Sequence, residues 1–185
     1  MKKHFLLSAL IFSVFILLKP AIIQAQSLTL NDIKTQMIND WERAKAYTID
    51  YLNTMPADKY SFKPVDSIRS FAQQMLHLAS GSIFLMSSAT DQKPPAAFAS
   101  NLEHSATAQT KDSVMYYVTT SYDYCIDAVK TFDVARWGEI KDQRGIKVTR
   151  YALMTKAFEH QTHHRGQTTI YIRLQGIRPP QERLF

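Results

Sequence analysis

Residues 159–167 read EHQTHHRGQ, and three of the chain's six histidines fall within five positions there. A neutral imidazole is a good ligand for a divalent metal, and two of them on consecutive helical turns can share one ion. A helix turns about 100° per residue, so His160 and His164 lie about 40° apart on it. Leu153, Ala157, Thr168 and Tyr171 fall on that same face. His163 falls outside it, toward the polar face that carries Thr155, Glu159, Gly166 and Arg173. The spacing therefore predicts an inward pair, His160 and His164, with His163 at the rim or surface. The competing reading is a pair of core histidines hydrogen-bonded to their neighbours.

A catalytic metal site commonly has three protein ligands and one open position. The candidates for a third are His77, His104 and the carboxylates. His104 lies in a loop and is expected to be exposed. His77 shares a polar but uncharged stripe with Ser70, Gln73, Gln74, Ser80 and Gly81. Such a stripe can line an interior cavity or be the wetter side of a helix. The pattern alone leaves both open. No general base is evident. Glu159 is on the outer face, and Asp123 or Asp127 would reach inward only with a suitable rotation of their helix.

Four long helical patterns must position these residues. The first spans about 31–53, with Asn31 as cap and a buried face of Ile33, Met37, Trp41, Ala44, Thr48 and Tyr51. Pro56 and Pro64 punctuate the connection that follows. The second spans about 67–89, and from Ser70 to Thr90 it holds no charged residue. A helix without charge all round is buried on most sides. The third spans about 111–131 and is rich in tyrosine. Residues 132–145 form a connector with a short turn or strand. The fourth spans about 147–175, with Gly176 as cap and Pro179 and Pro180 beyond it. The expected architecture is all-α, an up-down four-helix bundle.

The N-terminus reads differently. MKKH is followed by the apolar run FLLSALIFSVFILL and then KPAIIQAQS. A basic start, an apolar stretch of this length and small residues near Ala25 predict a signal peptide over 1–25. The remaining 26–185 is one domain's worth of chain. Export, to a periplasm or outside the cell, is the expected localisation. If uncleaved, the segment is the only route to a membrane. Taking Lys2, Lys3 and Lys19 from 22 basic residues leaves +3 against 16 acidic ones. That balance does not argue for nucleic acid as a partner. Cys125 is the single cysteine and forms no internal disulfide. Its helical setting predicts a buried apolar filler.

RSFAQQMLHLA in the second helix and HQTHHRGQTTIYIRLQGIRPP in the fourth resemble the DinB-like (DinB/YfiT) superfamily of metal-binding four-helix bundles. LNTMPADKYSFKPVDSIRSF fits the same pattern, and the resemblance covers roughly 31–180. It implies a metal site at His77, His160 and His164, one divalent ion there (Zn²⁺, or Ni²⁺, Fe²⁺ or Mn²⁺) and a small-molecule substrate. Arg165, Gly166 and Gln167 are then structural, with Arg165 placed to pair with a carboxylate and Gly166 to allow close packing. The resemblance implies either a metal-dependent hydrolase using activated water or a thiol-dependent S-transferase or isomerase. Export disfavours the second, because low-molecular-weight thiols are kept in the cytosol. A non-catalytic metal-binding envelope protein is the remaining alternative. Dimerisation is an expectation from the resemblance alone.

Overall fold

The computed structural model describes residues 27–185, so the expected signal peptide lies outside the described residues. Helix α1 (Leu30–Thr54) begins at Thr29, whose side chain accepts from Asp32 N–H while the Asp32 carboxylate accepts from Thr29 N–H. This capping box displaces Asn31 as the cap. Trp41, Ala44, Tyr47, Thr48, Tyr51 and Leu52 are its buried positions.

Helix α2 (Phe71–Thr90) begins at another capping box, in which Ser70 accepts from Gln73 N–H and Gln73 Oε1 accepts from Ser70 N–H. Its start is four residues later than the sequence pattern suggests, because the Ser70 cap fixes the first turn. The charge-free stretch packs against both α3 (Lys111–Thr131) and α4 (Arg150–Leu174). Its Met75, Leu76, Leu78, Ala79 and Met86 side chains are wholly buried.

The expectation of an all-α chain needs one correction. Strands β1 (Ile140–Gln143) and β2 (Ile146–Thr149) pair antiparallel, Ile140 opposite Thr149 and Gln143 opposite Ile146. Arg144 and Gly145 join them at φ 55° and 86°. Two consecutive positive φ values are the signature of a tight hairpin turn that matches strand twist. Because Ile146–Thr149 is taken into the ladder, α4 starts at Arg150, where Thr149 caps it, rather than near Lys147. At its far end Gly176, at φ 73°, donates to Arg173 O.

Helix directions depart from strict up-down alternation. Lys130 pairs with Glu42, and Lys111 Nζ donates to Asn53 O, so α1 and α3 are antiparallel. Tyr171 donates to Arg69 O, and Arg150 donates to Ala89 O, so α2 and α4 are antiparallel too. Trp41 packs edge-on against Phe158 and Tyr51 bonds Thr169, so α1 and α4 are parallel, and α3 therefore runs parallel to α2. The long link 91–110 is what permits this, since it carries the chain back along the length of α2 before α3 begins.

Helix α4 has two inward faces. Gln161 and Arg165 turn toward α1 and α3, where Tyr122 donates to Gln161 Oε1 at 2.7 Å and Arg165 Nη1 donates to the same oxygen at 2.9 Å. Thr48 bonds Tyr122 at 2.6 Å and completes the group. Arg165 thus pairs with no carboxylate among the described residues. Its guanidinium is buried over the Tyr47 ring, 4.7 Å from its centroid, where hydroxyl, amide and π partners serve the charge. The adjacent face, with His160 and His164, turns toward α2.

Candidate metal centre

Three histidines converge between α2 and α4. The antiparallel pairing of these helices sets His77 opposite the His160 and His164 turns. Ring centroids are 4.5 Å apart for His77 and His164, 5.3 Å for His77 and His160, and 4.4 Å for His160 and His164. Each side chain offers one ligand nitrogen, and those three atoms all lie within 4.8 Å of one another. The structure therefore brings together the pair expected from spacing and the third residue implied by the family resemblance. His104 is exposed on the loop side, and His163 is exposed on the outer side of α4.

The approach of the two helices depends on Gly81. A Cβ at that position would lie 2.6 Å from His160 Nε2, inside any tolerable contact. Gly81, not Gly166, is thus the glycine that permits close packing. Gly166 is exposed, and a Cβ there would meet nothing within 4 Å.

The partners of the rings set which nitrogens remain available. His77 Nδ1 is 2.6 Å from Glu103 Oε1, which leaves its Nε2 free. His164 Nδ1 lies 2.8 Å from the side-chain amide of the buried Gln74; with the amide oxygen turned to it, Nδ1 carries the proton and Nε2 keeps the lone pair a metal needs. Gln74 bonds Gln167 in turn, and Gln167 reaches His163 Nε2 at 3.0 Å. His160 Nδ1 is buried with no hydrogen-bond partner among the described residues. A buried nitrogen without a partner is costly unless something else occupies it.

Burial holds His160 and His164 neutral, and the neighbouring histidines reinforce it. Their pKa values fall to about 4 and about 3. Neutral imidazole is the form that binds metal. Three imidazoles this close together, two of them held neutral, fit one divalent ion, and they leave a coordination position for another group.

Glu103 had no signal in the sequence. It sits in a short 3-10 turn, Leu102–His104, far from any helical periodicity. Burial opposes its ionisation, but hydrogen bonds from Arg69 and His77 outweigh this and hold the carboxyl below its usual range. Asp123 and Asp127 are exposed and bonded to Lys45 and Gln92, on the outside of α3. Glu159 is likewise exposed and paired with Lys156. None of the three carboxylates considered from sequence faces the cluster.

A cleft of about 740 Å³ adjoins the centre, lined in part by Lys63, Arg69, Gln73, Glu103, Gln167 and Tyr171. The three histidines are not in its wall; it meets the layer behind them. A more apolar cleft of about 600 Å³, lined by Met37, Trp41, Tyr151 and Phe158 among others, contains none of the centre. Cys125 is fully buried against Ser82 O, and burial pushes its thiol up, as suits a core filler.

The fold has solved counterparts. A DinB-like protein from Bacillus cereus is 16% identical, with a TM-score of 0.69 over 80% of this chain and 97% of that one. A DinB-like protein from Bacillus subtilis is 21% identical, with a TM-score of 0.61 over 81% of this chain and 96% of that one. A conserved protein from Enterococcus faecalis is 15% identical, with a TM-score of 0.60 over 80% and 98%. No curated protein matches the chain. A sequence model of the DinB family matches residues 26–183, nearly the whole chain, and the protein accordingly belongs to the DinB family.

Proposed function

We propose that the protein binds one divalent ion through His77, His160 and His164 and is an exported metal-dependent hydrolase. The observation that carries this reading is the convergence of three imidazoles, two of them held neutral by burial, with ligand nitrogens within 4.8 Å of one another. Zn²⁺ suits an all-histidine donor set, and Ni²⁺, Fe²⁺ and Mn²⁺ share it without sharp discrimination. When bound, such an ion supplies Lewis acidity that brings a water pKa toward about 7 or polarises a carbonyl. The chain's own residues do the rest. His77, His160 and His164 hold the ion, and Glu103 and Gln74 hold the rings of His77 and His164. The basic start and apolar run before residue 26 support export.

Metal content by mass spectrometry, on protein produced without residues 1–25, tests this directly. We expect about one ion per chain, lost in the His160→Ala/His164→Ala double variant and retained in His163→Ala. Hydrolase activity against ester, amide and phosphoester substrates should follow the metal. Metal bound and lost as expected, but with no effect on any measured turnover, would leave a non-catalytic metal-binding protein. A wild-type chain that takes up no Zn²⁺, Ni²⁺ or Mn²⁺ would remove the chemical argument for an enzyme.

A further inference from the structure

Glu103 is clamped from both ends. Its carboxylate spans two partners, with Oε1 2.6 Å from His77 Nδ1 and Oε2 2.6 Å from Arg69 Nε. Its backbone oxygen accepts from Gln73 Nε2 at 3.1 Å and from Gln109 Nε2 at 3.0 Å. Gln73 is the capping-box residue of α2, so the amide that fixes the helix start also pins the loop. Leu102, beside it, is buried in the core.

We infer that Glu103 is a positioning residue for the metal centre, selecting the tautomer of His77, and that Arg69 holds it in place. A carboxylate bonded to Arg69 offers only acceptors, so the ring nitrogen facing it must carry the proton. His77 is thereby the Nδ1–H form, with the Nε2 lone pair directed away from Glu103 and available to an ion. The carboxylate also stops the ring from turning. Neither His160 nor His164 has a carboxylate partner among the described residues, so the effect is confined to one ligand of three. The inference rests on the three-histidine reading above.

Two readouts separate this role from a merely structural one. Long-range ¹H–¹⁵N spectra of the metal-free protein should show His77 as the Nδ1–H tautomer. In Glu103→Ala the Nε2–H form, favoured in a free histidine side chain, should grow. Competition with a chromophoric Zn²⁺ chelator should show Glu103→Ala binding roughly 10- to 100-fold more weakly at unchanged stoichiometry. Glu103→Gln, whose amide oxygen still accepts from Nδ1–H, should recover part of that loss. Circular dichroism confirms that each variant is folded. Wild-type affinity in folded Glu103→Ala, or an Nε2–H tautomer in the wild type, overturns the inference and leaves the metal site standing. A wild-type chain that binds no ion overturns the three-histidine reading and this one with it.

Discussion

At the scale of single residues, the centre depends as much on an absent side chain as on the three present. The His160 ring occupies the space a Cβ on Gly81 would need. Gly81→Ala should therefore displace the ring and weaken metal binding by about tenfold or more, comparable to loss of a supporting partner. An alanine suits a helix better than glycine does, so the metal-free protein should stay helical. Zn²⁺ competition beside a thermal melt checks this; unchanged affinity in Gly81→Ala would mean that the helices separate without cost. Cys125 makes the opposite point. Wholly buried and with its pKa raised by desolvation, it should resist thiol reagents in the folded protein and react only on unfolding.

At the scale of elements, the first turn of α2 couples helix stability to the site. Ser70 caps the helix, Gln73 reciprocates, and the same Gln73 amide holds the Glu103 loop. Ser70→Ala should cost about 1 kcal/mol of stability, as loss of an N-cap does. Denaturant unfolding of the metal-free protein measures that. The same substitution should also loosen Gln73, so its effect on metal affinity should exceed that of removing the Thr29 cap of α1, which contacts no part of the centre. Equal effects of the two cap deletions on affinity would show that the loop is held without Gln73.

At the scale of the whole molecule, a bundle interior that holds two histidines neutral ties stability to pH. In the unfolded chain His160 and His164 bind protons near the ordinary value of 6.5, whereas in the folded protein they do so only near about 4 and about 3. Below about pH 6.5 the unfolded state therefore holds more protons, and stability falls as pH drops. Their contribution is fully present above that pH. It is lost progressively toward about 4 for His160 and about 3 for His164. Thermal melts of the metal-free protein between pH 7 and 4 should show the fall. The His160→Gln/His164→Gln variant should show a shallower one, because its amides do not titrate. Equal slopes in the two proteins would place the pH dependence elsewhere.

Sequence alone determined the helices, because their signals are local. Caps, prolines and a 3.6-residue period placed four long helices within a few residues, and Lys111–Thr131 matched at both ends. The same periodicity put His160 and His164 on one inward face and His163 outside it. What local signals do not contain is the direction in which one helix lies against another. The parallel pairing of α2 with α3, the convergence of His77 on the α4 pair, and the role of Gly81 follow from that packing. Arg165 looked placed for a carboxylate because its helix face was legible while the residues opposite were not. Glu103 is the clearest case. It stands 26 residues beyond His77 in a turn without periodicity, and only the folding of the 91–110 link onto α2 brings its carboxylate to the ring.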